Sequence, residues 1–406
     1  MVGRACDLRK SFSHKFLEMS LALKIREHVL IAGAVLLYPF FARKAYRRKQ
    51  SKGMRFLVMP RANKIGDIIC ATPVFQALKE RYPDSFLAVL VGDYFNTADI
   101  LKGNPHIDEI ILIENDEFEK WFGMSRFFKK IREKQFNCSI NLAASSLGTL
   151  ITLFGVIPKR IKITHQYRPF TERLTDWMNT EAVPYIVGIR IPIVYLQTLR
   201  SLNVPMPERI KKTVVPDTQS DAKTEDFLRK RGIVAGDFLI GMSVSAGSLI
   251  KEWSLKRWAA LSKKLAAAHG AKIIFIGGPE DHDKIEEVMR NNGGIGISTV
   301  GHFSLRELPS LMKRFRLFLA VDSGTVHIAD ALGVPLIDIV GPVDPNEQTP
   351  EGDTSIILTP PGNISPSVFA FRPQGDPKIA RRAVEATSVE QVFAACERLI
   401  KKIGDR

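Results

Sequence analysis

Several short segments of this 406-residue chain end an apolar run in a small, polar loop with chemistry-bearing side chains. In LFLAVDSGTVHIADALGVP (317–335) a β-prone run ends in Asp322, Ser323, Gly324 and Thr325, and a helical pattern carrying His327 follows at once. A helix that starts near Gly324 leaves its first amides unpaired, and with the helix dipole they form an anion site suited to a diphosphate. Gly324 lets the backbone approach phosphate oxygens, while Ser323, Thr325 and His327 can donate hydrogen bonds to a phosphate or a sugar. The plainer alternative is that Asp322 or Ser323 caps the helix and His327 packs in the interior.

The same arrangement recurs. SAGSLIKEWSLKRW (245–258) runs a Gly- and Ser-bearing loop into a helix and places Lys251 beside Trp253; a solvated lysine is the alternative. In FIGGPEDHDK (275–284) Gly277, Gly278 and Pro279 turn the chain, and Glu280 and Asp281 can bond a ribose's hydroxyls. Two acids in a helix's first turn are also what the dipole favours with no ligand. GPVDP (341–345) adds a fourth strand end. Near the N-terminus, RANKIGDIICATP (61–73) places Asp67 at the carboxyl end of a strand, where it can accept a proton from an acceptor hydroxyl as general base. Arg61 and Lys64 beside it would attract an anionic acceptor or steady phosphate charge; the alternative for Asp67 is a helix N-cap. Together these loops describe a nucleotide-sugar pocket better than any one alone. No P-loop, GxGxxG or catalytic-serine elbow occurs, so kinases, dehydrogenases and hydrolases of those types are not supported.

The elements that must hold these residues follow from periodicity. MRFLVMP (54–60), FLAVLVG (86–92), IDEIILI (107–113) and FNCSINL (136–142) read as strands. Between them TPVFQALKERYPD (72–84, with Thr72 as a cap), NTADILKG (96–103) and EFEKWFGMSRFFKKIREK (117–134) read as helices, and RANKIGD (61–67) as a loop. Residues 164–202 break this rhythm as a mostly helical stretch, and NVPMPERIKKTVVPDTQSD (203–221) reads as a linker. The alternation then restarts with strands at 238–245, 271–278 and 317–322, and LIDIVGP (336–342) closes the series. A chain of this length exceeds the usual single core. The expectation is an α/β protein with two doubly wound Rossmann-like domains facing a cleft: an N-terminal segment 1–53, an acceptor-side domain 54–205, a nucleotide-sugar domain 206–387 and a terminal helix 388–406.

Charge is unevenly placed. Residues 1–53 hold twelve Lys and Arg against three Asp and Glu, nine of the net fifteen positive charges. The remainder is too mild to imply nucleic acid. The basic arm contains VLIAGAVLLYPFFA (29–42), too short for a straight span, with Pro39 weakening its end and basic residues on both sides. Residues 1–53 therefore read as an interfacial or re-entrant anchor on an anionic cytoplasmic leaflet, with a true span and a soluble docked helix as alternatives. Four dispersed cysteines, with no CxxC pair, argue against a zinc site or a disulfide framework.

These residues resemble the lipopolysaccharide heptosyltransferases, the ADP-heptose transferases of glycosyltransferase family 9, over about residues 54–400. The resemblance is carried by KIGDIICATPVFQALKERYPD (64–84), NPHIDEI (104–110), KEWSLKRW (251–258), IGGPED (276–281), DSGTVHIADALGVP (322–335) and GPVDP (341–345). It implies a GT-B fold and an inverting transfer of heptose from ADP-heptose to the lipid A inner core, without cofactor or metal. Carried over by motif, Asp67 is the general base and Lys251 helps neutralise the leaving group. Ser323, Gly324 and Thr325 hold the diphosphate, Asp322 and His327 shape the donor pocket, and Glu280 or Asp281 binds the ribose. The implied partners are the nucleotide sugar, a lipid A-core or other anionic lipid-linked glycan and an anionic membrane surface, at the cytoplasmic face of a bacterial inner membrane. An NDP-sugar epimerase and a non-catalytic scaffold of envelope glycan assembly are the alternative readings.

Overall fold

A computed structural model describes residues 27–48, 53–61, 64–92, 96–113, 121–362, 364–371 and 375–404. Residues 1–26 and 49–52 of the basic arm, and 117–120 of the helix expected over 117–134, lie outside them.

Among the described residues twelve short strands form two sheets. The first contains β1 (Arg55–Met59), β2 (Phe86–Gly92), β3 (Glu109–Ile113), β4 (Cys138–Asn141), β5 (Lys159–Thr164) and β6 (Glu181–Pro184), in the order β3-β2-β1-β4-β5-β6. The second contains β7 (Leu239–Ser243), β8 (Lys272–Phe275), β9 (Ile297–Ser298), β10 (Leu317–Val321), β11 (Leu336–Ile339) and β12 (Ser355–Leu358), in the order β12-β11-β10-β7-β8-β9. All pairings within both sheets are parallel. The central strands are buried on both faces, which is why they read as continuous apolar runs such as LFLAV. In each sheet the strand order reverses once, between β1 and β4 and between β7 and β10, and ligands of doubly wound folds bind at such switch points.

The helices are α1 (Glu27–Tyr46), α2 (Ile65–Cys70), α3 (Thr72–Arg81), α4 (Trp121–Glu133), α5 (Ser146–Phe154), α6 (Phe170–Asp176), α7 (Ile191–Gln197) and α8 (Gln219–Arg229). They continue as α9 (Leu255–His269), α10 (His282–Asn291), α11 (Leu308–Met312), α12 (Gly324–Leu332), α13 (Pro345–Gln348), α14 (Pro377–Ala386) and α15 (Val389–Gly404).

Contacts group the chain into two units: Met1–Pro60 with Tyr82–Asp93 and Asp108–Pro184, and Arg61–Arg81 with Tyr94–Ile107 and Tyr185–Arg406. This division departs from the boundary expected at 205/206. Helices α2 and α3 belong to the second unit although they follow β1, because α2 lies against α12 and α3 against α7. The terminal helix α15 is part of the second core, with Val392, Ala395, Cys396 and Leu399 buried beside β11 residues Ile337 and Ile339.

Other local expectations are corrected. The loop expected over 61–67 turns helical at Ile65, too briefly for periodicity to reveal it. Residue Thr72 does not cap α3; its hydroxyl donates to the Ile69 carbonyl and accepts from the Thr213 amide. Residues Thr97–Leu101 form a 3-10 helix. The stretch 164–202 contains the edge strand β6, and β12 extends the second sheet beyond β11; both are four-residue strands with half-exposed patterns.

Helix α1 runs through Pro39 to Tyr46. A proline inside a helix costs about 3 kcal/mol, and contacts beyond it compensate: Phe41 meets Phe154 at 5.1 Å between ring centroids, and Ala45 is buried. With 20 residues and a mean hydropathy of 1.3 the helix is long and apolar enough to cross a membrane. One stripe of it, however, Ile31, Ala34, Tyr38 and Phe41, lies on the core of the first unit.

Candidate active site

The site is assembled within the second unit, around the switch point. Strand β7 delivers the Lys251 loop and β10 delivers Asp322, so the two junctions picked out by composition flank the reversal of strand order. The Lys251 Nζ sits 2.5 Å from Asp322 Oδ2, and Asp322 is buried. Helix α12 then starts from Ser323 with no side chain capping it. The Ser323 hydroxyl lies instead 2.8 Å from Thr325 Oγ1. Neither Asp322 nor Ser323 thus consumes the first amides of α12.

Two glycines set how α2 meets α12. A Cβ at Gly66 would stand 2.8 Å from His327 Cδ2, and one at Gly324 would stand 2.8 Å from Ile65 Cβ and 3.3 Å from the Gly66 amide nitrogen. The starts of the two helices touch backbone to backbone, and only residues without a side chain allow it. Asp67, in the first turn of α2, is carried to the same place.

Asp67 is buried, and its Oδ2 has no hydrogen-bond partner among the described residues. Its cation is Arg61, with Nη1 at 3.4 Å. Asp67 is not an N-cap, since Lys64 holds that position. Arg61 is itself fixed: Nη1 donates to the Ala370 carbonyl at 2.6 Å, and the guanidinium lies 4.5 Å from the centre of the Phe371 ring. Although Lys64 as a residue is exposed, burial of its head lowers its pKa; Asp67 opposes that shift while Arg61 and Lys251 add to it. Arg61, Lys64, Asp67, Lys251, Asp322, Ser323, Gly324, Thr325 and His327 are brought together.

Residue His327 is buried and neutral. Burial lowers its pKa well below the ordinary value, and Lys212 and Lys251 lower it further. Its Nδ1 lies 3.2 Å from Lys212 Nζ and 3.8 Å from Cys70 Sγ. A lysine donates to Nδ1, so the ring hydrogen sits on Nε2, the edge facing Gly66. Burial pushes the Cys70 thiol up to about 12, which leaves it protonated.

Glu280 and Asp281 follow β8, next to β7 in the sheet. Asp281 Oδ2 accepts from the Gly278 amide at 3.0 Å, leaving the exposed Glu280 as the carboxylate of the pair without such a bond. In GPVDP, Asp344 caps α13 by accepting from the Asn346 amide.

Four residues of the site escape the sequence reading. Lys212 comes from the expected linker yet is buried and paired with Asp330 at 2.8 Å. Tyr195 on α7 is buried with its hydroxyl unpartnered, and burial, then Asp67, raises its pKa well above the ordinary value. Glu347 makes three bonds to two segments, accepting from Tyr185 and the Gly188 amide and from the Ala370 amide, and so holds the loop on which Arg61 rests. Asp338 on β11 is fully buried; burial, then Asp322, raises its pKa well above the ordinary value. Among the described residues no group of three or more His, Cys, Asp or Glu is placed to hold a metal ion.

Comparison with known proteins identifies the family and the fold. The model of glycosyltransferase family 9 (heptosyltransferase) fits residues 124–368, which include Lys251, Glu280, Asp281, Asp322 to Thr325 and His327. Lipopolysaccharide heptosyltransferase 3 of Escherichia coli is 26% identical over 285 residues, 69% of this chain and 81% of that protein. The lipopolysaccharide core heptosyltransferase OpsX of Haemophilus influenzae is 24% identical over 316 residues, 75% of this chain and 84% of that one. Among solved structures, a family 9 glycosyl transferase from Veillonella parvula has a TM-score of 0.71 at 21% identity, covering 86% of this chain and 97% of that chain. The E. coli ADP-heptose heptosyltransferase II has a TM-score of 0.68 at 17% identity, covering 86% and 100%. The two parallel six-stranded sheets form the GT-B fold. The chain belongs to glycosyltransferase family 9, the heptosyltransferases.

Proposed function

We propose that the protein transfers a heptose from ADP-heptose to a hydroxyl of a lipopolysaccharide core or related lipid-linked glycan, with inversion at the anomeric carbon. The observation that carries this reading is the buried Asp67 carboxylate, whose Oδ2 makes no hydrogen bond among the described residues and lies 3.4 Å from Arg61, held in the same cluster as the uncapped start of α12. Asp67 takes the proton of the acceptor hydroxyl as its oxygen attacks the anomeric carbon. The bond from that carbon to the β-phosphate oxygen breaks, and ADP leaves with the electron pair. The amides of Gly324 and Thr325, with the Ser323 and Thr325 hydroxyls, receive the diphosphate, and Lys251 meets its developing charge. Glu280 binds the ribose, in preference to Asp281. Fixed donors and a lysine supply the electrostatic stabilisation, so the reading needs no metal or cofactor, and chelator leaves turnover unchanged.

Relatives named for lipopolysaccharide support the acceptor class, and solved family members named with ADP and with an ADP-heptose analogue support the donor. The protein works peripherally at the cytoplasmic face of a bacterial inner membrane, with the nucleotide sugar arriving from the aqueous side. Replacement of Asp67 tests the assignment. Asp67→Asn lowers kcat by about 10²–10⁴-fold while ADP affinity measured by calorimetry stays the same. Turnover retained in that variant would overturn the base assignment.

A further inference from the structure

Helix α1 carries two opposed stripes. Ile31, Ala34, Tyr38, Phe41 and Ala45 face the first unit, and the next turn continues with Arg48, whose Nη1 and Nη2 donate to the carbonyls of Val156 at 3.1 Å and Arg132 at 3.0 Å. The opposite stripe, at helical spacing, is Val29, Leu36, Phe40, Arg43 and Arg47. Its first half is apolar and uncovered, with Leu36 80% and Phe40 61% exposed. Its second half is cationic. Trp177, 51% exposed, rests against Tyr38 at 4.5 Å between centroids and widens the apolar face. Phe170 adds to it from seven residues earlier.

Where the stripe changes character an open groove of about 600 Å³ lies between α1 and the ends of α4 and α5. Phe40 and Val156 line it, with Arg43, Lys44, Arg47, Arg48 and Arg132. No acidic residue lines the groove, and among the described residues no carboxylate pairs with Arg43, Lys44, Arg47 or Arg132. Arg48 is committed to two carbonyls, which quenches the negative ends of α4 and α5 that would otherwise repel an anion. Val156, a β-branched residue, is held at a left-handed φ of 58° to present one of those carbonyls.

We propose that this groove binds the phosphate of an anionic phospholipid headgroup, while Leu36, Phe40 and Trp177 enter the acyl boundary beside it. Four cations without acidic partners are complementary to a phosphate ester, and the adjoining uncovered apolar face fits a lipid surface rather than a free anion in water. Helix α1 then lies along the interface as part of the folded unit, and its buried stripe keeps it there instead of across the bilayer. This inference rests on the membrane association proposed above and is independent of donor and acceptor identity.

Cosedimentation of the full-length protein with vesicles tests it, using phosphatidylcholine alone or with about a third phosphatidylglycerol. The wild type binds the anionic vesicles and releases them as salt rises. Each cation at such a surface strengthens binding by about fivefold, so Arg43→Ala with Arg47→Ala weakens it by about 25-fold at unchanged melting temperature. Leu36→Asp, at a position 80% exposed, weakens it as well. Three results would overturn the groove: equal binding to both vesicles, full binding by the double variant, or displacement by inorganic phosphate beyond that by chloride of equal ionic strength. The last would assign a free-anion site. A wild type that binds neither vesicle would sink the membrane association itself, whereas binding that survives the double substitution sinks only the groove. Transfer to a detergent-dispersed acceptor, unchanged in all variants, keeps both outcomes separate from catalysis.

Discussion

Two lysine–aspartate pairs serve α12 in different ways. Lys212 and Asp330 are both almost sealed from solvent, 2.8 Å apart, and Asp330 also accepts from the Gly352 amide. Lys251 and Asp322 are as close, but the lysine keeps 14% of its side chain exposed and comes from a loop, at the strand end where the diphosphate is expected. The first pair has nowhere to go. Burial alone would lower the Lys212 pKa, yet Cys70 and then Asp330 raise it, so it stays a fixed cation whose hydrogen bond sets the ring of His327. The second pair can open when a second anion competes with Asp322 for the ammonium. On the proposed mechanism, identical chemistry at two depths gives a strut and a ligand.

The contrast breaks most visibly at the buried pair. Lys212→Met leaves Asp330 buried without its cation and costs about 3–5 kcal/mol of stability, read as a lower urea midpoint. A variant that unfolded like the wild type would show that the pair is not a strut. Lys251→Met is the counterpart: kcat falls by about 10²–10³-fold, with the melting temperature nearly unchanged because the lysine is partly solvated. Equal losses of stability from both substitutions would erase the distinction. A smaller effect sharpens it. His327 is neutral when folded and titrates near its ordinary value when unfolded, so the unfolded chain gains a proton that the folded one refuses. Its contribution to stability is full above about pH 6.5 and declines as pH falls, by up to about 1.4 kcal/mol per pH unit. His327→Gln removes that part of the slope in melting curves taken between pH 7 and 5.

The strand-end loops were legible because each joins a continuous apolar run to Gly, Ser and acidic residues, a pattern that neither a surface loop nor a core strand produces alone. Lys251, Asp322 and Ser323 could be named on that basis, and so could Asp67. The position of Asp67 could not. IGDIIC is too short for helical periodicity, and the contact that carries it to α12 depends on missing side chains at Gly66 and Gly324, which leave no apolar signal. Lys212 was hidden by its setting, since NVPMPERIKK has the proline and charge of an exposed linker. Glu347, in VDPNEQTP, was hidden by its partners, two of them backbone amides that any residue supplies. The half-exposed edge strands β6 and β12 were lost because four residues carry too little alternation. The apolar run at 29–42 was visible from hydropathy, but its continuation through Pro39 to Tyr46 was not, and which stripe faced protein depended on Trp177 and Phe154, more than a hundred residues away.

The contact between Gly66 and Gly324 has a mechanical consequence. Because α2 lies against α12, Asp67 and the first amides of α12, proposed above as base and diphosphate site, belong to one compact unit. The separation of the two helices is set by the width of two backbones, so a single methyl group added at either glycine would act as a spacer between them.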